Sequence, residues 1–148
     1  MVCIVLPLVV GGLSALLSGS ARESFDSLIK PPLSPPGWLF PVAWTVLYIL
    51  MGVASYLVLT SEAPVREREK AIYVYLIQLA VNFFWSIIFF NLERYLLAFI
   101  WLVLLWSLIL ATLVRFYRVS ETAGRLMIPY LLWVTFAGYL NFSIYLLN

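Results

Sequence analysis

The sequence predicts an all-α integral membrane protein, a bundle of five transmembrane helices. Of its 148 residues, 64% are hydrophobic and the mean hydropathy is +1.02, whereas soluble domains are nearer half apolar. The 9 basic and 7 acidic residues fall in four short clusters. A charge inside the hydrocarbon core is costly, and each stretch between clusters can cross a core of about 30 Å as a helix. These charge-free stretches are residues 1–21, 31–61, 71–92, 95–114 and 126–148.

Each charge-free stretch supplies one predicted helix of a single membrane domain that covers residues 1–148. Pro7 lies inside the first helix, where a packed membrane helix tolerates it. The link at residues 93–94 is a tight turn, so the third and fourth helices are antiparallel neighbours. The predicted helices cover about residues 2–18, 40–60, 70–90, 95–117 and 124–147.

The long link between the first two helices, residues 19–39, is rich in proline. Four prolines preclude a regular helix there and favour extended or turn structure. A long, stiffened loop in a compact protein is usually functional. The four are Pro31, Pro32, Pro35 and Pro36.

The distribution of lysine and arginine predicts the orientation in the membrane. Cytoplasmic loops carry an excess of these residues. The N-terminus is therefore predicted inside a bacterial cell membrane, with the C-terminus and the proline-rich loop outside. The bias is six residues, Arg66, Arg68, Lys70, Arg115, Arg118 and Arg125, against three, Arg22, Lys30 and Arg94.

Several functional classes are disfavoured by what the sequence lacks. There is no histidine and only one cysteine, Cys3, which argues against a His/Cys metal site and against histidine-based catalysis. No ionisable residue lies within a predicted span, so ion-coupled transport lacks the charge that it normally needs. The net charge of +2 is too small to suggest a nucleic-acid partner. No cofactor is implied.

Aromatic and polar residues recur at helical spacing on three of the predicted helices. With 6 Trp, 9 Tyr and 10 Phe, the bundle can line a cleft for a flat, apolar ligand. Two ordinary explanations compete: aromatic belts at the membrane interface, and hydrogen bonds between helices for Gln78 and Asn82. The stripes are Trp44 and Tyr48; Gln78, Asn82 and Ser86 with Trp85; and Trp133, Ala137 and Leu140 with Asn141.

Three runs of sequence carry a resemblance to a known family. They are KPPLSPPGWLFPVAWTVLY at 30–48, QLAVNFFWSIIFF at 78–90 and PYLLWVTFAGYLN at 129–141. In this order and at these intervals they resemble the first loop and the second, third and fifth helices of the translocator protein family. This family is also called tryptophan-rich sensory protein or peripheral benzodiazepine receptor (TspO/MBR). The resemblance extends from about residue 4 to the end.

The resemblance implies a five-helix bundle, often dimeric, with a pocket that opens toward the first loop. It implies binding of porphyrins such as protoporphyrin IX, haem-type tetrapyrroles, isoquinoline carboxamides and benzodiazepines. The tryptophans would supply flat contact area, Asn82 a hydrogen bond, Ala137 room for a ring, and the loop a lid. Matched by position, the ligand-binding residues would be Pro35, Trp44, Tyr48, Asn82, Trp133, Ala137 and Leu140.

The sequence departs from the family pattern at some positions. Leu33 and Phe25 stand where family members often have Trp and Tyr, so a loop contact is lost or shifted. No basic residue follows Tyr139 or Tyr145, so the forward cholesterol motif is absent. Tight cholesterol binding is therefore not predicted, and the short C-terminus also favours a bacterial-type member.

Three functions stay open at this point. The chain would be a receptor or sensor for tetrapyrroles, an enzyme that degrades protoporphyrin with light and oxygen, or a passive transporter. As an enzyme it would use Trp44 and Trp133 as catalytic, electron-donating residues.

A stripe of small residues on the first helix fits either packing within the monomer or the seam of a homodimer. It consists of Gly11, Ala15 and Gly19, and Ser107 with Ala111 forms a shorter stripe on the fourth helix.

Overall fold

The computed structural model describes residues 2–17, 39–91 and 94–147, and in these ranges the regular structure is entirely helical. The predicted all-α class is confirmed. A π-helical segment, Ile87–Asn91, directly follows the third helix. The α-helices are α1 Val2–Leu17, α2 Leu39–Leu59, α3 Val65–Ser86, α4 Tyr95–Val119, α5 Glu121–Leu126 and α6 Ile128–Leu147.

Among the described residues, four helical segments are long and apolar enough to cross a membrane. α1 has 16 residues, which at about 1.5 Å each is about 24 Å, a little less than the hydrocarbon core. A fifth span therefore stays a prediction. The four segments are Val42–Leu59, Val65–Phe89, Tyr95–Val119 and Glu121–Leu147.

α3 begins at Val65, five residues before the expected start at residue 70. The charges that follow Val65 mark the edge of the bilayer, and a helix continues through that edge into water. Arg68 also closes the preceding turn: its side chain donates to the carbonyl oxygens of Ala63 and Leu59, each at 3.0 Å. Leu59 is the last residue of α2, so its carbonyl accepts no hydrogen bond within the helix, and the bond from Arg68 caps it. The bond to Ala63 fixes the turn into α3.

The last predicted helix, residues 124–147, is divided at Met127 into α5 and α6. Pro129 explains the break, because proline has no N–H to donate to the carbonyl four residues earlier. As the second residue of α6 it stands where no such bond is needed. At the start of α5 the Ser120 hydroxyl accepts a hydrogen bond from the Ala123 N–H at 3.4 Å, an N-cap.

The helices pack unevenly around the bundle. α4 lies along both α3 and α6, and α1 lies along α2 and touches α3. The outer surface is apolar as well, with Leu132 64% and Tyr73 68% exposed, as expected for side chains that face lipid. The innermost side chains include Met51, Leu105, Ile109, Phe116 and Ile144, all 0% exposed.

Gly11 brings α1 directly against the ring of Tyr48 on α2. A Cβ at this position would lie 2.7 Å from Tyr48 Cδ2. Gly11 therefore packs within the monomer, one of the two explanations given for the small-residue stripe. Ser107 and Ala111 are exposed on the outer face of α4.

We predict that Gly11→Ala lowers the stability of the protein. The Tyr48 ring is held by its neighbours, so the added methyl group would cost about 1–3 kcal/mol, as overpacking does. Gly12→Ala is the matched control, because a Cβ there meets nothing within 4 Å. The measurement is the thermal unfolding midpoint in detergent. Equal midpoints for the two variants would show that α1 does not pack on Tyr48.

Candidate functional site

A cluster of four aromatic rings joins α2 to α6, with Trp44 at its centre. Trp44 stacks on Tyr48, with ring centroids 5.6 Å apart and planes 28° apart. It meets Trp133 edge to face at 6.4 Å and 89°, and Tyr130 at 6.1 Å and 73°. These distances are typical of favourable aromatic pairs. The structure thus brings together three residues predicted for the ligand site and adds Tyr130.

A chain of buried hydrogen bonds lies behind this aromatic cluster. The Tyr48 hydroxyl donates to Asn82 Oδ1 at 2.9 Å, and Asn82 Nδ2 donates to the Tyr130 hydroxyl oxygen at 2.7 Å. The Tyr130 hydroxyl in turn donates to Gln78 Oε1 at 2.7 Å. Gln78 Nε2 approaches Met51 Sδ at 3.9 Å. The chain ties together α2, α3 and α6 in surroundings where an unpaired polar group is costly.

Asn82 holds two tyrosines, which changes the role expected for it. The sequence predicts a hydrogen bond from Asn82 to the ligand, whereas here both ends of its amide are engaged by Tyr48 and Tyr130. Each end keeps one further position, since the oxygen has a second lone pair and the nitrogen a second hydrogen. Asn82 therefore orients the rings of Tyr48 and Tyr130, and a hydrogen bond from it to a ligand stays a prediction.

Ala137 and Leu140 continue the buried face of α6 beyond Trp133. They are 7% and 4% exposed, and the spacing of four and then three residues keeps them on one side of the helix. Pro35, the remaining predicted site residue, lies outside the described residues, as do Leu33 and Phe25.

Tyr130 is the member of this site that sequence reasoning missed. Its hydroxyl bonds to both Asn82 and Gln78, and its ring contacts Trp44. The signal was present, because Tyr130 precedes Ala137 by seven residues, or two turns, and so shares its face. Gln78 makes an interhelical hydrogen bond, which confirms the more ordinary explanation considered for it.

The seam between α2 and α6 is closed by side chains more than by backbone. Within the described residues, the backbones of these two helices approach each other far less than those of α4 and α6 or of α1 and α2. Trp44 contacts both Tyr130 and Trp133 across the gap. Ring contacts, more than packed backbone, therefore close this seam.

Three other tryptophans fasten helices to one another away from this seam. Trp85 Nε1 donates to Asn141 Oδ1 at 3.3 Å, joining α3 to α6. Trp101 Nε1 donates to the Val81 carbonyl oxygen at 2.8 Å, joining α4 to α3. Trp106 Nε1 donates to the hydroxyl of Thr135 at 2.9 Å, joining α4 to α6. These bonds hold α3, α4 and α6 together as one unit.

Comparison with known proteins gives a consistent result over the whole chain. The family model described as the TspO/MBR family matches residues 3–147. Tryptophan-rich protein TspO of Chlorobaculum tepidum is 42% identical over 99% of this chain and 93% of its own length. Protein CrtK of Rhodobacter capsulatus is 43% identical over 93% of this chain and 85% of its own length. Tryptophan-rich sensory protein of Cereibacter sphaeroides is 39% identical over 85% of this chain and 77% of its own length.

We predict that Tyr130→Phe destabilises the protein more than Tyr48→Phe. Removing the Tyr130 hydroxyl breaks two hydrogen bonds, those of Asn82 Nδ2 and Gln78 Oε1, whereas removing that of Tyr48 breaks only the bond to Asn82 Oδ1. The expected loss for Tyr130→Phe is roughly 1–2 kcal/mol, since each buried hydrogen bond in a membrane protein is worth about 0.6–1.7 kcal/mol.

The control for this comparison is Tyr145→Phe, because Tyr145 lies on the same helix and is 40% exposed. Thermal unfolding of the three variants in detergent is the measurement. If Tyr130→Phe and Tyr145→Phe unfold at the same temperature, the hydrogen-bond chain contributes nothing to stability.

Proposed function

Because this chain belongs to the TspO/MBR family, we propose that it is a membrane receptor or sensor for porphyrins. Protoporphyrin IX and haem-type tetrapyrroles are the proposed ligands, and isoquinoline carboxamide or benzodiazepine-type molecules would use the same pocket. The protein is an integral membrane protein, and the ligand would reach the pocket from the outer end of the bundle. The proline-rich loop, residues 19–39, would cover it.

The observation that carries this proposal is the aromatic cluster at the seam of α2 and α6. Trp44 lies within ring-contact distance of Tyr48, Tyr130 and Trp133. A flat macrocycle that replaced part of these ring contacts would gain stacking of its own, and its apolar faces would leave water. The small side chain of Ala137, one turn beyond Trp133, would leave room for the edge of the ring.

The arrangement in the membrane completes the proposal. α1, which carries no charged residue, would form the fifth span beside the four that are long enough. The N-terminus would lie inside a bacterial cell membrane, and the C-terminus and the proline-rich loop outside, as the lysine and arginine bias predicts. Arg22 or Lys30 would then meet a porphyrin carboxylate at the outer surface. Two copies would associate as a homodimer.

We predict that protoporphyrin IX binds the protein in detergent and quenches its tryptophan fluorescence. Trp44→Phe and Trp133→Phe should each weaken binding roughly three- to tenfold, since an aromatic contact is worth about 0.5–1.5 kcal/mol. Affinity is read from the porphyrin absorbance band, so that the loss of a fluorophore does not distort the result.

Trp106→Phe is the matched control for this experiment, because Trp106 bonds to Thr135 between α4 and α6. It should retain the affinity of the wild type. If the double variant Trp44→Phe/Trp133→Phe binds as tightly as the wild type, the porphyrin site lies elsewhere.

A second candidate function is light-dependent degradation of the bound porphyrin. It is favoured by the indoles of Trp44 and Trp133, whose ring centroids lie 6.4 Å apart in the proposed pocket. A porphyrin excited by light would take an electron from an indole beside it, and dioxygen would serve as the oxidant. The enclosed pocket would limit side reactions in water.

We predict that loss of porphyrin absorbance under light depends on Trp44 and Trp133 and hardly on Cys3. The rate and the product spectrum are compared for Trp44→Phe, Trp133→Phe and Cys3→Ser, at protein concentrations that saturate the porphyrin. Oxygen-free samples should lose no absorbance. If the wild type gives the same product at the same rate as free porphyrin in detergent, the protein is a binder without this activity.

A further inference from the structure

A groove of about 360 Å³ runs along the outer face of α4, away from the proposed porphyrin pocket. All of its lining residues belong to α4. Neighbouring members of the set are one, three or four positions apart in the sequence, which places them on a single side of the helix. They are Trp106, Ser107, Leu110, Ala111, Val114, Arg115 and Arg118.

The two ends of this groove differ in chemistry. Arg115 and Arg118 lie at the end nearer the C-terminus of α4, and Trp106 lies at the other. Between them Leu110 and Val114 are apolar and face outward, 37% and 39% exposed. Ser107 and Ala111 are small, which gives the groove its depth. A molecule that fits along it has an anionic end and a long apolar end.

The position of the groove in the membrane fits one leaflet of the bilayer. Arg115 lies within the last two turns of α4, which ends at Val119, and marks the level of the lipid headgroups. From Arg115 to Trp106 is nine residues, about 14 Å along the helix axis at about 1.5 Å per residue. Half of a hydrocarbon core of about 30 Å is about 15 Å, so Trp106 lies near the midplane.

The two arginines make no ion pair with any carboxylate that the structure describes. Glu121 is the acidic residue nearest to them in sequence, and its carboxylate is engaged by Arg125. The positive charges of Arg115 and Arg118 are therefore available to an anion from outside the protein. They lie on the side that the charge bias assigns to the cytoplasm, where anionic lipids attract basic residues.

We propose that this groove binds one anionic phospholipid of the inner leaflet. Its phosphate would accept hydrogen bonds from the guanidinium groups of Arg115 and Arg118, a geometry to which arginine is well suited. One acyl chain would lie along Leu110, Ala111 and Val114 and end beside the indole of Trp106.

Trp106 also gives the acyl chain room to continue. The same residue lines a second groove, of about 330 Å³, between α4 and α6. That groove is walled by apolar side chains, including Leu102, Val134 and Phe142, and Gly138 keeps it open. A chain longer than one leaflet would pass Trp106 and enter it. The site is independent of the porphyrin pocket, so either proposal can fail without the other.

Native mass spectrometry of the purified full chain in detergent tests the site. The probes are phosphatidylglycerol and phosphatidylcholine with identical acyl chains. For the first lipid molecule bound, the affinity of the wild type for phosphatidylglycerol should be at least about tenfold higher than its affinity for phosphatidylcholine. The double variant Arg115→Gln/Arg118→Gln should lower the affinity for phosphatidylglycerol about 25-fold and remove the preference over phosphatidylcholine. The reason is that one basic residue near an anionic lipid changes the affinity on the order of fivefold.

Arg66→Gln/Lys70→Gln is the matched control. These two residues are exposed at the start of α3, on the same side of the membrane as the groove. The control removes two positive charges as well but leaves the groove intact, so it should keep the preference. If both double variants lose the preference equally, the effect is the net charge of this face and the proposed site is wrong.

A third variant tests the acyl chain separately from the headgroup. Ala111→Phe fills the groove without changing the charge. It should lower the affinity for phosphatidylglycerol and for phosphatidylcholine alike, about tenfold. Inorganic phosphate, added at the same concentration as the lipid, should not compete. Competition by phosphate, or full affinity in Ala111→Phe, would mean that the arginines bind an anion without a lipid. A loss of dimer in Ala111→Phe with lipid binding unchanged would make the groove a contact between copies of the chain.

Quenching by brominated lipid provides an independent reading in the membrane. Phosphatidylglycerol brominated near the end of its acyl chains should quench the fluorescence of Trp106, measured as the difference between wild type and Trp106→Phe. Phosphatidylcholine brominated at the same carbons should quench it less. Equal quenching by the two lipids in mixed vesicles would overturn the proposal, because Trp106 would then contact only the average surrounding lipid.

Discussion

The structure depends on one constraint: lipid surrounds the bundle, so apolar surface alone cannot decide how the helices face each other. Leucine and phenylalanine gain little by moving from lipid into a protein interior, and exposed apolar residues cover the outside as they fill the core. Polar side chains do distinguish lipid from the protein interior, because in lipid they have no water to bind. The few polar groups within the spans therefore fix the arrangement. Gln78 and Asn82 are the clearest case, and their partners come from two other helices.

The same constraint explains what most of the tryptophans in the described residues do. An indole N–H buried in lipid needs an acceptor, and Trp85, Trp101 and Trp106 each find one on a neighbouring helix. Interface belts, the ordinary explanation for a tryptophan-rich membrane protein, do not account for these three. Trp44 and Trp133 differ from them because ring contacts across the seam dominate their surroundings. These five tryptophans thus divide into those that fasten helices and those that close a gap.

The sequence predicts the helices well because charge in lipid is so costly that the gaps between charges mark the spans. It does not mark where a helix ends in water. α3 begins at Val65 and therefore includes the charged residues that follow it, as far as Lys70. The predicted single helix over residues 124–147 also does not include the effect of Pro129, whose missing N–H accounts for the break at Met127. For the candidate site, spacing predicts shared faces for Trp44 with Tyr48 and for Asn82 with Gln78, and the structure brings Trp44, Tyr48 and Asn82 together. Spacing on single helices does not show which faces meet, and so Tyr130 was overlooked.

The uneven packing of the helices has a consequence for how a ligand would be accommodated. α3, α4 and α6 are joined by tryptophan hydrogen bonds. α2 packs along α5 and touches α3 and α4, but it meets α6 mainly through the rings around Trp44, and the Tyr48–Asn82 bond lies behind them. A single buried hydrogen bond in a membrane protein is worth about 0.6–1.7 kcal/mol, much less than the stacking and burial that a macrocycle would gain. A ligand at the seam would therefore separate the rings of α2 from those of α6 and leave the tryptophan bonds among α3, α4 and α6 in place. The groove on α4 belongs to this bonded unit, so a lipid bound there would remain bound whether or not the pocket is occupied.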